Sequence, residues 1–159
     1  MTRPVARGWC PGAYRPMQSG DGLIVRVRPR LARLNAKQAL GLSQASQRFG
    51  NGTIDLTSRG NLQIRGIGET AYDKLMAELT ALNLLDDAPE IEACRNILIA
   101  PDWAADDDTY TLTLALTQRL DALPALPPKF GFAVDTGHAP MLTAASADVR
   151  IERDLSGAL

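Results

Sequence analysis

Cysteine and histidine are scarce in this chain: Cys10, Cys94 and His138 are the only ones among its 159 residues. Two thiols 84 residues apart cannot supply four ligands, so the chain alone cannot build a four-cysteine zinc or iron–sulfur site. Long hydrophobic runs are missing too. No apolar stretch approaches the length of a transmembrane helix, and the N-terminus has no signal-peptide core, so the cytoplasm is the expected location. A Cys10–Cys94 disulfide is not expected there. Cys10 then reads as a structural thiol, Cys94 as a small buried residue and His138 as a loop residue without metal partners. An excess of one charge is also lacking. Lys and Arg number 17 against 18 Asp and Glu, so no overall field draws the chain to nucleic acid or to a membrane.

The charges are nevertheless unevenly spread. Residues 1–34 carry Arg3, Arg7, Arg15, Arg26, Arg28, Arg30 and Arg33 against Asp21 alone, whereas residues 86–108 are strongly acidic. This predicts a basic surface in the N-terminal part and a solvated acidic one elsewhere. At 45% hydrophobic and 22% charged residues, the composition is that of an ordinary globular protein with room for one domain or two small ones.

Residues 1–19 are rich in Arg, Pro and Gly and read as an irregular arm, which Trp9, Tyr14 and Met17 should dock onto the body. Gly22–Arg28 alternates as a strand, with Leu23, Val25 and Val27 on one face and Ile24, Arg26 and Arg28 on the other. Asn35 can cap a helix reaching Phe49, with Leu42, Ala45 and Phe49 as its apolar stripe. Ile54/Leu56 and Leu62/Ile64 alternate on two short strands joined by a polar turn, placing Gln63, Arg65 and Ile67 on the opposite face. A second helix is expected from about Thr70 to Leu82. The order β-α-β-β-α is most of a ferredoxin-like split β-α-β unit, an antiparallel sheet with helices on one face. Residues 86–90 read as a linker. Beyond it come a strand at 95–99, a helix at about 109–123 capped by the Asp106–Asp108 run, and strands at 130–135 and 148–152. Residues 155–159 read as a hairpin turn with no return strand. The domain plan is therefore an arm (1–19), a half-domain (20–86), and the start of a second α+β domain (87–159) that stops unfinished.

Arg59 in the turn, with Arg65 and Gln63 on the adjoining strand, is chemically suited to a planar ligand carrying several carboxylates, because guanidinium pairs bidentately with carboxylate. By spacing alone, an ordinary hairpin with solvated arginines is the better reading.

Longer motifs add to this. Gly8-Trp9-Cys10-Pro11-Gly12, Pro16-Met17-Gln18-Ser19-Gly20-Asp21-Gly22-Leu23, Thr57-Ser58-Arg59-Gly60-Asn61-Leu62-Gln63-Ile64-Arg65-Gly66, Arg95-Asn96-Ile97-Leu98 and Leu126-Pro127-Pro128-Lys129-Phe130 follow one another along the chain. In these stretches the chain resembles the N-terminal part of the sirohaem-dependent nitrite and sulfite reductase superfamily. The likeness is strongest to its branch that hydroxylates precorrin-3A, with lactone formation, in aerobic cobalamin biosynthesis. The resemblance implies a pseudo-twofold oxidoreductase in which a ferredoxin-like half-domain precedes a catalytic domain. It also implies that basic residues at Arg26, Arg59, Arg95 and Lys129 surround a tetrapyrrole. Arg28, Asn61, Gln63, Arg65 and Asn96 complete the candidate contacts. Gly131 stands where the reductases carry a second lysine, and Arg65 where assimilatory sulfite reductases tend to carry histidine. Both departures favour a tetrapyrrole substrate over a small oxyanion. The resemblance further implies a 4Fe-4S cluster whose ligands lie outside this chain, in a C-terminal half or companion chain, so that the chain alone would be inactive. Sirohaem is the tetrapyrrole under the reductase alternative. A non-enzymatic tetrapyrrole-binding module is the third reading.

Overall fold

The central strand β2 (Gly22–Val27) sits between β1 (Met17–Ser19) and β4 (Leu62–Ile67), with β3 (Ile54–Leu56) at the far edge. All neighbours are antiparallel. The computed structural model describes residues 10–127, 129–154 and 156–159. The contribution expected of Trp9 lies outside those residues, as does Leu155 in the C-terminal turn. β1 corrects the reading of residues 1–19 as wholly irregular: Met17 pairs with Ile24 and Ser19 with Gly22. Upstream of β1 the chain still runs along β2, where the Arg26 N–H donates to the Gly12 carbonyl at 3.2 Å.

Helix α1 (Ala36–Phe49) begins as the sequence predicts. The Asn35 side chain accepts from Gln38 N and the Gln38 side chain accepts from Asn35 N, a reciprocal capping box. Leu42, Ala45 and Phe49 are buried against Leu75 and Leu79 of α2 (Tyr72–Ala81) and against Val25, Val27 and Ile64 of the sheet. Both helices therefore cover one face, the ferredoxin-like arrangement expected.

Strand β4 departs from simple alternation. Val25 pairs with Ile64 but Leu23 with Ile67, so β4 holds one residue more than β2 over that interval. Gly66 makes the bulge possible, with φ +68°. Ile67 is thereby turned into the core, fully buried with Ile64, which corrects the expectation that it shares a face with Arg65.

Residues 86–90 are not a simple linker. Pro89 opens a short helix, α3 (Pro89–Cys94), using its fixed φ at the first helical position. A second sheet follows, in the order β5 (Ile97–Ile99), β6 (Phe132–Asp135), β7 (Val149–Glu152), and it is entirely parallel. The helix predicted over 109–123 is α4 (Asp108–Thr117), capped by Asp107, with a separate 3-10 turn at Leu120–Ala122. It forms the crossover from β5 to β6, and the Thr109 and Thr136 hydroxyls are hydrogen-bonded at 2.7 Å. The connection from β6 to β7 has no helix. Its backbone is held instead by Asp135, which accepts from Met141 N and Leu142 N at 2.6 and 2.7 Å. Among the described residues no helix is long and apolar enough to cross a membrane.

Candidate anion-binding site

The sheet face away from the two helices carries Ile24 and Arg26 on β2, with Arg28 just past the strand's end, and all three are buried. Over Arg26 lies a cavity of about 280 Å³ lined by Cys10, Arg26, Thr57, Ser58, Arg59 and Lys129. Three separate segments supply its cations: β2, the β3–β4 turn, and the loop before β6. The turn is fixed by its own backbone. Thr57 N donates to Asn61 O at 2.8 Å, Gly60 N to Thr57 O at 3.0 Å, and Asn61 N to the Thr57 hydroxyl at 3.2 Å. Asn61 thus closes the turn that presents Ser58 and Arg59. Among the described residues, no carboxylate lines this cavity.

Arg26 is only 8% exposed, and among the described residues its Nε has no hydrogen-bond partner. Burial pushes its guanidinium below the ordinary arginine value, Cys10 partly offsets this, and the Arg59 charge adds to the lowering. A buried donor without a partner is costly. This one belongs to a cation that opens onto a cavity with no acid among its described lining residues.

Beside it lies a larger cavity, about 340 Å³, whose walls include Cys10, Arg28, Glu92, Cys94, Asn96 and Phe130. Here Arg28, and Arg95 bonded to its carbonyl, are engaged with the protein itself. Arg28 pairs with Glu92 and donates from Nε to Asn96 Oδ1 at 3.3 Å. Arg95 donates from Nε to Asp86 Oδ2 at 2.9 Å and from Nη2 to the Arg28 carbonyl at 2.9 Å. Asn96 donates in turn to Phe130 O at 3.2 Å. Burial, with Arg26 and Arg95 adding their repulsion, pushes Arg28 down to about 10, so it stays a cation at neutral pH. Asp86 and Glu92 are buried here, which corrects the reading of residues 86–108 as a uniformly solvated acidic surface.

Of the nine candidate residues, then, Arg26, Arg59 and Lys129 line the smaller cavity and Asn61 shapes its rim. Arg28, Arg95 and Asn96 form a buried frame beside it. Gln63 lies opposite Arg26 across the ladder but does not line the cavity. Arg65 is directed to acids, reaching Asp55 at 2.8 Å and Asp21 at 3.5 Å. The sequence reading missed Thr57, Ser58 and Cys10 as lining groups. The hydroxyls flank Arg59 in the quoted motif, which was the available signal.

An antiparallel sheet with two helices on one face is the ferredoxin-like half-domain arrangement. Residues 15–82 are such a unit of the reductase type, matching the family model for the nitrite/sulfite reductase ferredoxin-like half domain. The chain is 36% identical over 148 residues to precorrin-3B synthase from Sinorhizobium sp, which takes in 92% of this chain and 32% of that protein. It is also 30% identical over 141 residues to ferredoxin–nitrite reductase from Synechococcus elongatus, 81% of this chain and 27% of that protein. The chain thus spans about a third of the length of these curated relatives. Both bear out the superfamily resemblance read from the motifs.

Proposed function

We propose that this chain is the N-terminal part of a precorrin-3B-synthase-type oxidoreductase, and that its basic cavity holds acetate and propionate carboxylates of the tetrapyrrole. The observation that carries the reading is the convergence of Arg26, Arg59 and Lys129 on one cavity with no acid among its described lining residues. At about 280 Å³ it is near the lower limit of small-molecule pockets, ~300 Å³. It suits the carboxylate-bearing edge of a macrocycle rather than the whole ring. Arg59 and Lys129 are accessible to a ligand arriving from solvent, while Arg26 beneath them is pre-desolvated. Charge-assisted bonds of this kind fix orientation as well as affinity. The chemical outcome under this reading is oxygen-dependent hydroxylation of precorrin-3A.

The 4Fe-4S cluster would supply redox chemistry when bound. Among the described residues, no group of three or more His, Cys, Asp or Glu side chains is arranged to hold a metal ion. The donor set here does not fit a cluster, and the site's own contribution is to bind and orient. Cluster ligands belong to a C-terminal half or companion chain.

The test is titration of a stable octacarboxylate porphyrin into the chain and its variants, followed by fluorescence quenching. Arg59→Ala and Lys129→Ala each weaken binding by ~1.5–3 kcal/mol, the value of a hydrogen bond to a charged group, or roughly 10- to 150-fold. Arg65→Ala, already paired to Asp55 and Asp21, changes it by less than about two-fold. Parent-like affinity in both cavity variants removes those residues from the site. A sirohaem absorption band with nitrite or sulfite reduction by the full-length protein would move the reading to a reductase.

A further inference from the structure

The carboxylate-binding reading makes no use of Cys10. It is a half-buried free thiol on the wall shared by the two cavities, and in the smaller one its co-lining residues are Arg26, Thr57, Ser58, Arg59 and Lys129. Arg26, more than nine-tenths buried, lines the same cavity, and its Nε has no partner among the described residues. Cys94 provides an internal comparison. It is also free and half-buried, but it lines only the larger cavity, on the same short helix as Glu90 and Glu92.

Thiol–disulfide exchange proceeds through a state in which negative charge is shared among the attacking, central and leaving sulfurs. Cations fixed around the attacking sulfur stabilise that charge and concentrate anionic reagents beside it. Acids near a thiol do the reverse. Both cysteines line the larger cavity with its acids, but of the two it is Cys10 that also lines the smaller, cation-rich one.

We propose that Cys10 is a modification site selective for anionic disulfides of the glutathione type. Its thiolate Sγ attacks one sulfur of the oxidised tripeptide disulfide. A new Sγ–S bond forms, the reagent's S–S bond breaks, and one glutathione thiolate leaves and takes up a proton. Cys10 is oxidised and the departing glutathione is reduced. The peptide left on Cys10 carries carboxylates of its own, within reach of Arg59 and Lys129, so the adduct occupies the anion cavity. This reactivity follows from the thiol and its cations, and holds whatever ligand the cavity binds.

The probes are dithiobis(nitrobenzoate), a dianion, and cystamine, a dication, applied to Cys94→Ser (Cys10 remaining) and Cys10→Ser (Cys94 remaining). The dianion-to-dication rate ratio is expected to be at least ~10-fold higher at Cys10 than at Cys94, the lower end of electrostatic rate effects. It should fall toward the Cys94 value in Lys129→Ala or Arg59→Ala, and in about 1 M salt, where screening acts over ~3 Å. Peptide mapping of the parent chain after limited exposure to glutathione disulfide should place the adduct on Cys10 before Cys94, which keeps the test valid should either serine variant fail to fold. Equal ratios at the two cysteines, ratios indifferent to Lys129→Ala and Arg59→Ala, or mapping that finds Cys94 modified first would each overturn the proposal.

Discussion

Replacing Glu92 by alanine is the most informative perturbation of this fold. Glu92 is one of the few acids buried here, its side chain 6% exposed against 5% for its partner Arg28. Its Oε1 also lies 3.4 Å from Ala13 N, and a Cβ on Gly12 would come within 2.8 Å of its Oε2. Removing it leaves Arg28 charged and buried, with the 3.3 Å bond to Asn96 as poor compensation. Breaking a buried pair from one side costs ~3–5 kcal/mol, because the surviving charge has lost its counter-ion in a poorly hydrated place. For a chain this long, each kcal/mol moves the melting temperature by ~2–4 °C, so Glu92→Ala should melt roughly 6–20 °C lower. The assay is urea and thermal unfolding followed by far-UV circular dichroism. The control is Asp55→Ala, which breaks the pair with Arg65 at 2.8 Å where the aspartate side chain is 43% exposed. That loss should be only ~0.2–1 kcal/mol. A joint change of Arg28→Met with Glu92→Leu should regain most of the stability, since neither position then holds a stranded charge. If Glu92→Ala proves no more damaging than Asp55→Ala, the buried pair is not what ties the arm and α3 to the sheet.

Two other outcomes follow from local geometry. Gly66→Ala should destabilise by at least ~1–2 kcal/mol, since φ there is +68° and an added Cβ would sit 2.7 Å from Asn51 Cβ and Cγ; a loss below ~0.5 kcal/mol in urea unfolding would contradict the bulge. The Asp21 carboxyl should titrate below the ordinary aspartate value, held down first by a side-chain hydrogen bond from Ser19 and then by its own backbone and Arg65. A carboxyl depressed in the folded state contributes stability above its unfolded value that is lost as pH falls through the folded one. Carboxyl-detected NMR should show the Asp21 midpoint rising in Ser19→Ala, and an unchanged midpoint would refute the assignment.

The half-domain was legible because its signals are local. The Asn35 cap, the Leu42/Ala45/Phe49 stripe and the strand alternation from Gly22 each act within a few residues. Gly66 gave a cue that alternation alone overrode: glycine inside a strand often marks a bulge, and here it turned Ile67 inward. Pro89 was likewise a helix-start residue inside a segment whose Asp and Glu suggested a solvated linker. The parallel order of β5, β6 and β7 depends on which strands meet in space, and no short pattern encodes it. The arginines show the same divide. Arg26, Arg28, Arg59, Arg65 and Arg95 look alike in sequence. What separates a cavity cation from a structural one is an acid such as Glu92, 64 positions from Arg28, or Asp86 beneath Arg95.

The stitching between Arg28, Glu92, Arg95 and Asp86 has a practical corollary for anyone dissecting this protein. The region matched to the family half-domain stops at residue 82, yet the counter-ions of its central strand are drawn from just past that border. An excised 15–82 piece would carry Arg28 with no anion to meet it. A graft between relatives should therefore move the stretch through Asn96 as one cassette, because the evolutionary boundary and the cooperative one do not coincide.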